Sequence, residues 1–522
     1  MLAAVVAIFL VYAALFIYRT SFVVGGERYF SLFDDAMVSM RYAKNVAHGY
    51  GLVWNPGGER VEGYTNPLWV LYMSLVHLLP IPPSKTSLIV QVTAAIFLAL
   101  NLIYARRLAL VVSRGSDAVA WGAVALIATY LPINNWSLQG MEVSVLVLLT
   151  TACLWMVVRN YETGVFSPVV YLLLGLATLV RADMAVPYAA VLSFLVAADP
   201  VHRRRHLVWG VAALACAVAV QTLFRLSYYG ELLPNTFYLK VTGIPFVFRI
   251  ARGVYVLLQF IWKANALLFL LTAVLLLRRD PRVWLLFWVF IAQAAYSVYV
   301  GGDAWEYWGG SNRYLCIVMP AFFVLLSCAL YEVARALANA LDANRLSGWM
   351  FAASVAFAIV SMNSIYGVGA LAEALLIRPP LHSGHGGENE QDVEQALLLR
   401  DATTPEATVA VMRAGTIPYF ADRTSIDLLG KNDRRVAREP ARLPGGPHRF
   451  VDWRPGHTKY DFAYSIGQLQ PDVIVALRNR TNEAAPFLDE YRGVLLAGSC
   501  AYVRRSSQTV VWNRLPSRGC VD

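Results

Sequence analysis

Charge is scarce in this sequence. Asp, Glu, Lys and Arg make up 15% of the 522 residues, against about 25% in a soluble domain. That points away from a chain that is soluble throughout. No Walker loop and no GxGxxG at a strand–helix junction occurs, so the sequence offers no nucleotide site. No CxxC or Cys/His spacing of a zinc site is present either. Of six cysteines, Cys153, Cys216, Cys316 and Cys328 lie inside apolar runs and read as small buried hydrophobes. Cys500 and Cys520 lie in the polar C-terminal part, and whether they bond is left open by the sequence. Neither a low-complexity tract nor an internal repeat of the transporter kind is evident.

Apolar sequence is plentiful: 58% of residues are hydrophobic and the mean hydropathy is +0.51. It falls in runs at about 2–18, 86–105, 117–133, 139–158, 167–180, 184–198, 206–226, 262–277, 283–300, 314–334 and 348–372. A span needs about 20 residues, fewer where neighbours shelter it. The expectation is a polytopic α-helical membrane protein with about eleven transmembrane helices. The first run lacks a basic n-region and a small-x-small cleavage site, so it reads as a retained helix.

Basic residues orient these helices. Arg106, Arg107 and Arg114 fall in one connection, Arg159 in another, and Arg203, Arg204 and Arg205 in a third. Arg278, Arg279 and Arg282 follow, then Arg335 and Arg345. With the N-terminus cytoplasmic, every one of these connections is cytoplasmic. The segment 66–80 carries His77 and is short, so it reads as an interfacial helix on the outer face, with a full span as the alternative. The net charge of +10 then reflects topology and a lipid or phosphate partner, not nucleic acid.

Three connections face outward: about 20–66, about 227–248 and about 300–313. The polar part from about 375 lies outside as well. Its strand-like "ATVAVM" and "DVIVAL", helix-like "EQALLLRDA" and candidate hairpin "VLLAGSCAYVRRSSQTVVWN" read as a small α/β domain. The chain thus divides into a membrane domain, 1–374, whose outer loop 20–85 carries interfacial helices, and an extracytoplasmic α/β domain, 375–522. His382 and His385 sit in the Pro/Gly-rich linker "RPPLHSGHGGENE", which reads as a solvated connection.

The outer loops carry the residues capable of chemistry. "DDAMVSMRYAKNVAHG" reads as a helix from Asp34 and Asp35 to Gly49. In the structural reading Asp34 is an N-cap and Asp35 favours the helix dipole. In the functional one an acid takes a proton from a nucleophile. Arg41, Lys44 and His48 recur at three- or four-residue spacing on one face. They suit a lipid-phosphate leaving group, or simply a solvated face that snorkels to headgroups. Glu62 in "NPGGERVEGYTNPLW" and Asn235 in "GELLPNTFYLK" are candidate sugar or acceptor contacts, and Lys240 is a candidate phosphate ligand. "GGDAWEYWGGSNRYL" places Asp303, Trp305, Tyr307, Trp308 and Arg313 together. Aromatics mixed with an acid suit sugar stacking, and Arg313 suits bidentate phosphate binding. Arg181 and Asp183 read as a structural ion pair.

These blocks resemble the GT-C superfamily of polyprenyl-phosphate-sugar glycosyltransferases. "DDAMVSMRYAKNVAHGYGLVWNPGGERVEGYTNPLW", "GELLPNTFYLK", "GGDAWEYWGGSNRYL" and "IPYFADRTSIDLLGKND" are most similar, in that order, to terminal β-(1→2)-arabinofuranosyltransferases and their bacterial relatives. The resemblance covers Asp34 to about Asp433. It implies an integral membrane enzyme of the inner membrane that works on the extracytoplasmic face. The enzyme inverts the anomeric centre in a single displacement, moving a sugar, arabinofuranose by this likeness, from a polyprenyl phosphate to a hydroxyl of a cell-surface glycan. It places the base on Asp34 and leaves Asp35 to orient, cap or hold a divalent cation, with no obligatory cofactor or metal. His457, in the outer-domain "PGHTKYD", is a candidate acceptor contact. Three rival readings remain: a non-catalytic relative supporting surface or flagellar assembly, a protein acceptor such as pilin, and a lipid-linked sugar transporter. A transporter places polar residues deep in its helices, whereas here they gather in outer loops.

Overall fold

A computed structural model describes residues 1–306, 312–364, 385–477, 480–516 and 519–520, without the side chains of 385–387. Tyr307, Trp308, His382, the side chain of His385 and the domain boundary near 375 lie outside the described residues.

Seven helices among the described residues are long and apolar enough to cross a membrane. They are α1 (Leu2–Thr20), α4 (Pro83–Val112), α7 (Val143–Thr163), α10 (Arg203–Tyr229), α14 (Pro281–Val300), α16 (Met319–Ala340) and α17 (Ser347–Asn363), the last taken with the 3₁₀ turn before it as Asn344–Asn363. Two further runs bend. The helices α5 (Asp117–Ala128) and α6 (Leu131–Leu138) meet at 51°, where Pro132 occupies the first turn of α6. The helix α12 (Phe246–Lys263) turns by 91° into α13 (Ala266–Val274) at Asn265, whose φ is +81°. Counting each bent pair as one crossing gives nine. The remaining two runs form α8 (Val169–Val180) and α9 (Ala185–Ala198). At 1.5 Å per residue these reach only about 18–21 Å, short of the roughly 30 Å hydrocarbon layer. The segment 66–80 forms α3 (Pro67–His77), also too short to span.

Between α1 and α3 stand the hairpin β1 (Phe22–Val24) and β2 (Glu27–Tyr29) and the helix α2 (Asp34–Ala47). Gly49 ends α2 at φ +81°, as its position after the helix requires. The short helices α11 (Asn235–Lys240) and α15 (Arg313–Cys316) belong to the other two loops.

The C-terminal domain opens with α18 (His385–Ala402) and holds a five-stranded sheet of order β4-β3-β5-β7-β6. Its strands are β3 (Thr408–Val411), β4 (Thr424–Asp427), β5 (Val473–Val475), β6 (Tyr491–Leu496) and β7 (Ser499–Arg504), and α19 (Thr416–Ala421) links β3 to β4. β3 runs parallel to both β4 and β5, and β7 antiparallel to β5 and β6. The central strands "TVAV" and "VIV" are apolar without alternation because both faces are covered. Ala497 and Gly498, both at positive φ, make the tight β6–β7 turn. The expected hairpin ends at Arg504; beyond it only an isolated Thr403–Val510 bridge forms. Cys500 and Cys520 form a disulfide. Cys153, Cys316 and Cys328 are buried, but Cys216 is exposed, because α10 turns most of its surface outward.

The domain folds back onto the outer loops. Trp54 Nε1 donates to Ala414 O at 3.1 Å, and the Asn55 side chain brackets Ser425 through both its N–H and its carbonyl. Tyr42 sits on Asn432, and Lys459 Nζ donates to Tyr238 O at 2.8 Å. Apolar residues of the membrane helices, of α2 and of β3 and β5 belong to one continuous core.

Candidate active site

The Asp pair does not cap its own helix, although both acids lie in its first turn, where they favour the dipole. Phe33 is the N-cap of α2, and no side chain caps the helix. The Asp34 carboxylate turns outward instead: Oδ1 accepts the Thr416 backbone N–H at 2.9 Å and stands 3.8 Å from Arg413 Nε. The side chain keeps 15% exposure, and its second oxygen has no partner among the described residues. Asp35 differs. Arg313 Nη1 reaches its Oδ2 at 2.9 Å and Lys431 Nζ reaches its Oδ1 at 2.9 Å. Burial opposes its ionisation, yet Lys431 and Arg313 hold the carboxyl well below its ordinary value. Adjacent helical positions point in different directions, so one carboxylate is left open and the other is saturated.

Arg313 is held as firmly. Its Nε and Nη2 donate to the two oxygens of Asp303 at 2.7 and 2.8 Å, and the guanidinium lies over the Trp136 ring. Asp303 is 2% exposed. Three of the five guanidinium N–H groups are thus engaged, which leaves two for a ligand. Lys240 stands nearby with no hydrogen bond or ion pair to a described residue. Burial, with Arg313 close by, pushes its ammonium down to about 8.

These groups line a cavity of about 660 Å³. Asp34, Asp35, Lys240, Arg313, Trp305 and His457 all face it. The Trp305 ring packs edge-on against His457 and Phe33, and burial pulls the His457 imidazole down to about 4, so it is neutral at physiological pH. Asp303 stands one layer behind, through Arg313.

Four expected site residues lie elsewhere. Arg41 is 1% exposed. It bonds Trp54 O at 3.0 Å, Asp422 Oδ1 at 2.8 Å and Arg423 O at 3.3 Å. Lys44 shares the same Asp422 oxygen at 2.9 Å. Arg41 and Lys44 are therefore taken by the C-terminal domain, whereas His48 stays exposed with its Nδ1 2.7 Å from Lys44 O. Glu62 takes Nε and Nη2 of Arg225 in a buried ion pair. Asn235 donates to the carbonyls of Gly430, Lys431 and Asp433 at 2.9–3.2 Å. It serves the site indirectly, by fixing the turn that carries Lys431. Arg181 pairs with Asp183 and Glu142 away from the cavity.

Sequence reasoning passed over Arg413, Lys431 and Arg480, all of which line the cavity. Each follows closely on a parallel strand: Arg413 after β3, Lys431 after β4, Arg480 after β5. Ligands of α/β sheets sit at these carboxyl ends, where the strand order reverses; here it reverses at β3. The strand-like "ATVAVM" and "DVIVAL" therefore pointed to Arg413 and Arg480, whereas β4, which leads to Lys431, was not read as a strand.

Gly415 shows how closely the two parts meet. A Cβ there would lie 2.0 Å from Asp34 O and 2.8 Å from its Oδ1. Gly415→Ala should displace the carboxylate and cut turnover by about 10- to 100-fold, since misplacement by about 1 Å is that costly. Steady-state rates on the folded variant check this; unchanged turnover would mean that Asp34 needs no fixed position.

A family model described as a domain of unknown function, DUF8728, matches residues 382–512. No curated protein matches the sequence. Among solved structures, ArnT from Cupriavidus metallidurans bound to undecaprenyl phosphate is similar at 14% identity and a TM-score of 0.57, over 97% of this chain and 98% of that one. The same protein in the apo state gives 0.54, over 99% of each chain. The oligosaccharyltransferase AglB from Archaeoglobus fulgidus, in complex with an inhibitory peptide and a dolichol-phosphate, gives 0.53 at 13% identity, over 99% of this chain and 75% of that one. At such identities the likeness shows the fold, which is of the GT-C type.

Proposed function

We propose that this chain is an integral membrane glycosyltransferase that uses a polyprenyl-phosphate sugar as donor. The observation that carries the reading is one cavity holding an open carboxylate, Asp34, with the cations Lys240, Arg313 and Lys431. The fold-level neighbours support it, since the ArnT structure holds undecaprenyl phosphate and the AglB complex a dolichol-phosphate.

In this reading the acceptor hydroxyl gives its proton to the free oxygen of Asp34. Its oxygen attacks the anomeric carbon, and the bond from that carbon to the phosphate oxygen breaks with its electron pair on the phosphate. Configuration inverts, and polyprenyl phosphate leaves. Lys240 and the two remaining N–H groups of Arg313 take up the phosphate charge, while Asp35 keeps Arg313 and Lys431 in place. A divalent cation at Asp35 would have to displace Lys431 or Arg313, so the reading needs none. Trp305 and the neutral His457 suit a sugar ring and its hydroxyls.

The sequence resemblance supports arabinofuranose as the sugar and a cell-surface glycan as the acceptor. The arginines of the connections support an inner-membrane protein with its N-terminus inside and its C-terminal domain outside. The Cys500–Cys520 disulfide suits that oxidising side.

The test is transfer by the purified protein from a panel of synthetic polyprenyl-phosphate sugars, read as release of polyprenyl phosphate. Absence of turnover with every donor, together with unaltered surface glycans in a deletion strain, would favour the non-catalytic reading. A pH prediction goes with it. Lys240 must be charged to bind phosphate and loses its proton near 8 instead of 10.5. The donor kcat/KM should therefore fall as pH rises through about 8. The limb should move to higher pH in Lys240→Arg, and in kcat, because bound phosphate favours the ammonium. A flat donor profile from pH 7 to 9 would remove Lys240 from the phosphate.

A further inference from the structure

Besides Lys240, Arg313 and Lys431, the cavity has a further cation, Arg480, for which the donor phosphate gives no employment. Arg480 follows β5 and lines the cavity. Its guanidinium lies 4.1 Å above the Tyr460 ring, whose hydroxyl donates to Glu483. One of its N–H groups donates to His457 O at 2.7 Å. No carboxylate among the described residues pairs with it. The plane of the guanidinium is thus fixed by the ring beneath and one edge by the loop, and the remaining N–H groups are left over. A stacked, oriented, unpaired guanidinium fits the planar or tetrahedral oxygens of a carboxylate or phosphate.

Its place relative to the donor position follows from the loop Pro455–His457. Gly456 packs on Lys240, whose Cε lies 3.3 Å from where a Cβ would stand. His457, the next residue, bonds Arg480. Lys240 and Arg480 therefore grip neighbouring residues of one loop, from the membrane domain and the C-terminal domain respectively. Asp34, the proposed base, is held from the same domain as Arg480: the Thr416 N–H that it accepts follows β3. The acceptor hydroxyl must approach Asp34, and so lies on the side built by the strand ends.

We infer that Arg480 is an acceptor-binding residue, and that the acceptor carries an oxyanion, a carboxylate or phosphate, close to the hydroxyl that is glycosylated. This rests on the reading of the cavity as a glycosyltransferase site. It narrows that reading from a glycan to an acidic acceptor, and assigns the recognition to the C-terminal domain.

The experiment uses the full-length protein in detergent, first saturated with undecaprenyl phosphate. Glucuronate, glucose 6-phosphate and glucose are then titrated, and binding is followed by thermal shift. The two acidic sugars are expected to stabilise the lipid-loaded protein and glucose is not. Arg480→Gln should weaken the acidic sugars at least 10-fold and leave undecaprenyl phosphate affinity within twofold. Arg480→Lys should recover part of the acidic-sugar binding. Lys240→Gln should do the reverse of Arg480→Gln. The assignment is overturned if lipid-loaded wild type does not distinguish acidic sugars from glucose. It is overturned equally if undecaprenyl diphosphate binds at least 10-fold tighter than the monophosphate and Arg480→Gln erases that preference, because the oxyanion then belongs to the donor. If undecaprenyl phosphate itself fails to bind wild type, the glycosyltransferase reading fails. The acidic-sugar titration of the unloaded protein still reports on Arg480.

Discussion

Asp34→Asn should fold, bind undecaprenyl phosphate as the wild type does, and turn over about 10²–10⁴-fold more slowly. The size is that of a general base in a transition state. The carboxamide keeps the shape of the side chain and a carbonyl oxygen that still accepts the Thr416 N–H, found at 2.9 Å from Oδ1. What it loses is the ability to take a proton on the oxygen that has no partner among the described residues. Asp35→Asn should fail differently. Both Asp35 oxygens are bound by cations, Arg313 and Lys431, so its loss frees two charges and should weaken donor binding and stability before it touches proton transfer. Release of polyprenyl phosphate at saturating donor, measured for both variants, separates the two acids. Full turnover by Asp34→Asn, or a larger kcat loss in Asp35→Asn with donor affinity unchanged, would move the base from Asp34.

That distinction between the acids was visible in the sequence only as a direction. Neighbouring helical residues diverge, so one of the pair had to differ from the other. The pattern did not tell which cations each would meet. Lys431 is 396 residues from Asp35 and Arg313 is 278 away. The local stretches from 34 to 35, at 240 and from 303 to 313 were legible because charge there interrupts apolar sequence next to spans. Each such residue had to find a partner, a ligand or water.

Arg41 and Lys44 show where that logic stops. Their spacing correctly places them toward one side of α2. What covers that side is Asp422, from 381 and 378 residues away, and helical periodicity carries no information about it. A basic face beside a membrane reads as a lipid-phosphate contact until the C-terminal domain is seen to close over it. Glu62 likewise reads as a sugar or acceptor contact until Arg225, at the far end of α10, is found against it. The membrane helices were legible for the opposite reason. A span is set by the length of an apolar run, a local property; the bend at Tyr130 falls within one run, but α12, before the bend at Asn265, lies almost wholly outside the runs because Arg249 and Arg252 interrupt it.

Arg313→Met should have the largest effect on the protein as a whole, through stability and binding together. Arg313 faces Asp303, which is 2% exposed, and Asp35. Removing one partner of a buried pair leaves a charge without compensation, a loss of about 3–5 kcal/mol. The donor phosphate would also lose a charged hydrogen-bond donor, worth about 1.5–3 kcal/mol, or roughly 10- to 150-fold in affinity. The two effects can be separated, because Asp303 is held by Arg313 and faces the cavity only through it. The double variant Asp303→Asn with Arg313→Met removes the stranded charge, so unfolding measurements should recover much of the lost stability. Donor affinity should stay at the level of the single variant, since nothing restores the guanidinium. Recovery of donor affinity along with stability would mean that Arg313 acts on the phosphate only by holding the fold. Failure of both to recover would mean that Asp303 has a second task at the cavity, independent of the arginine it now orients.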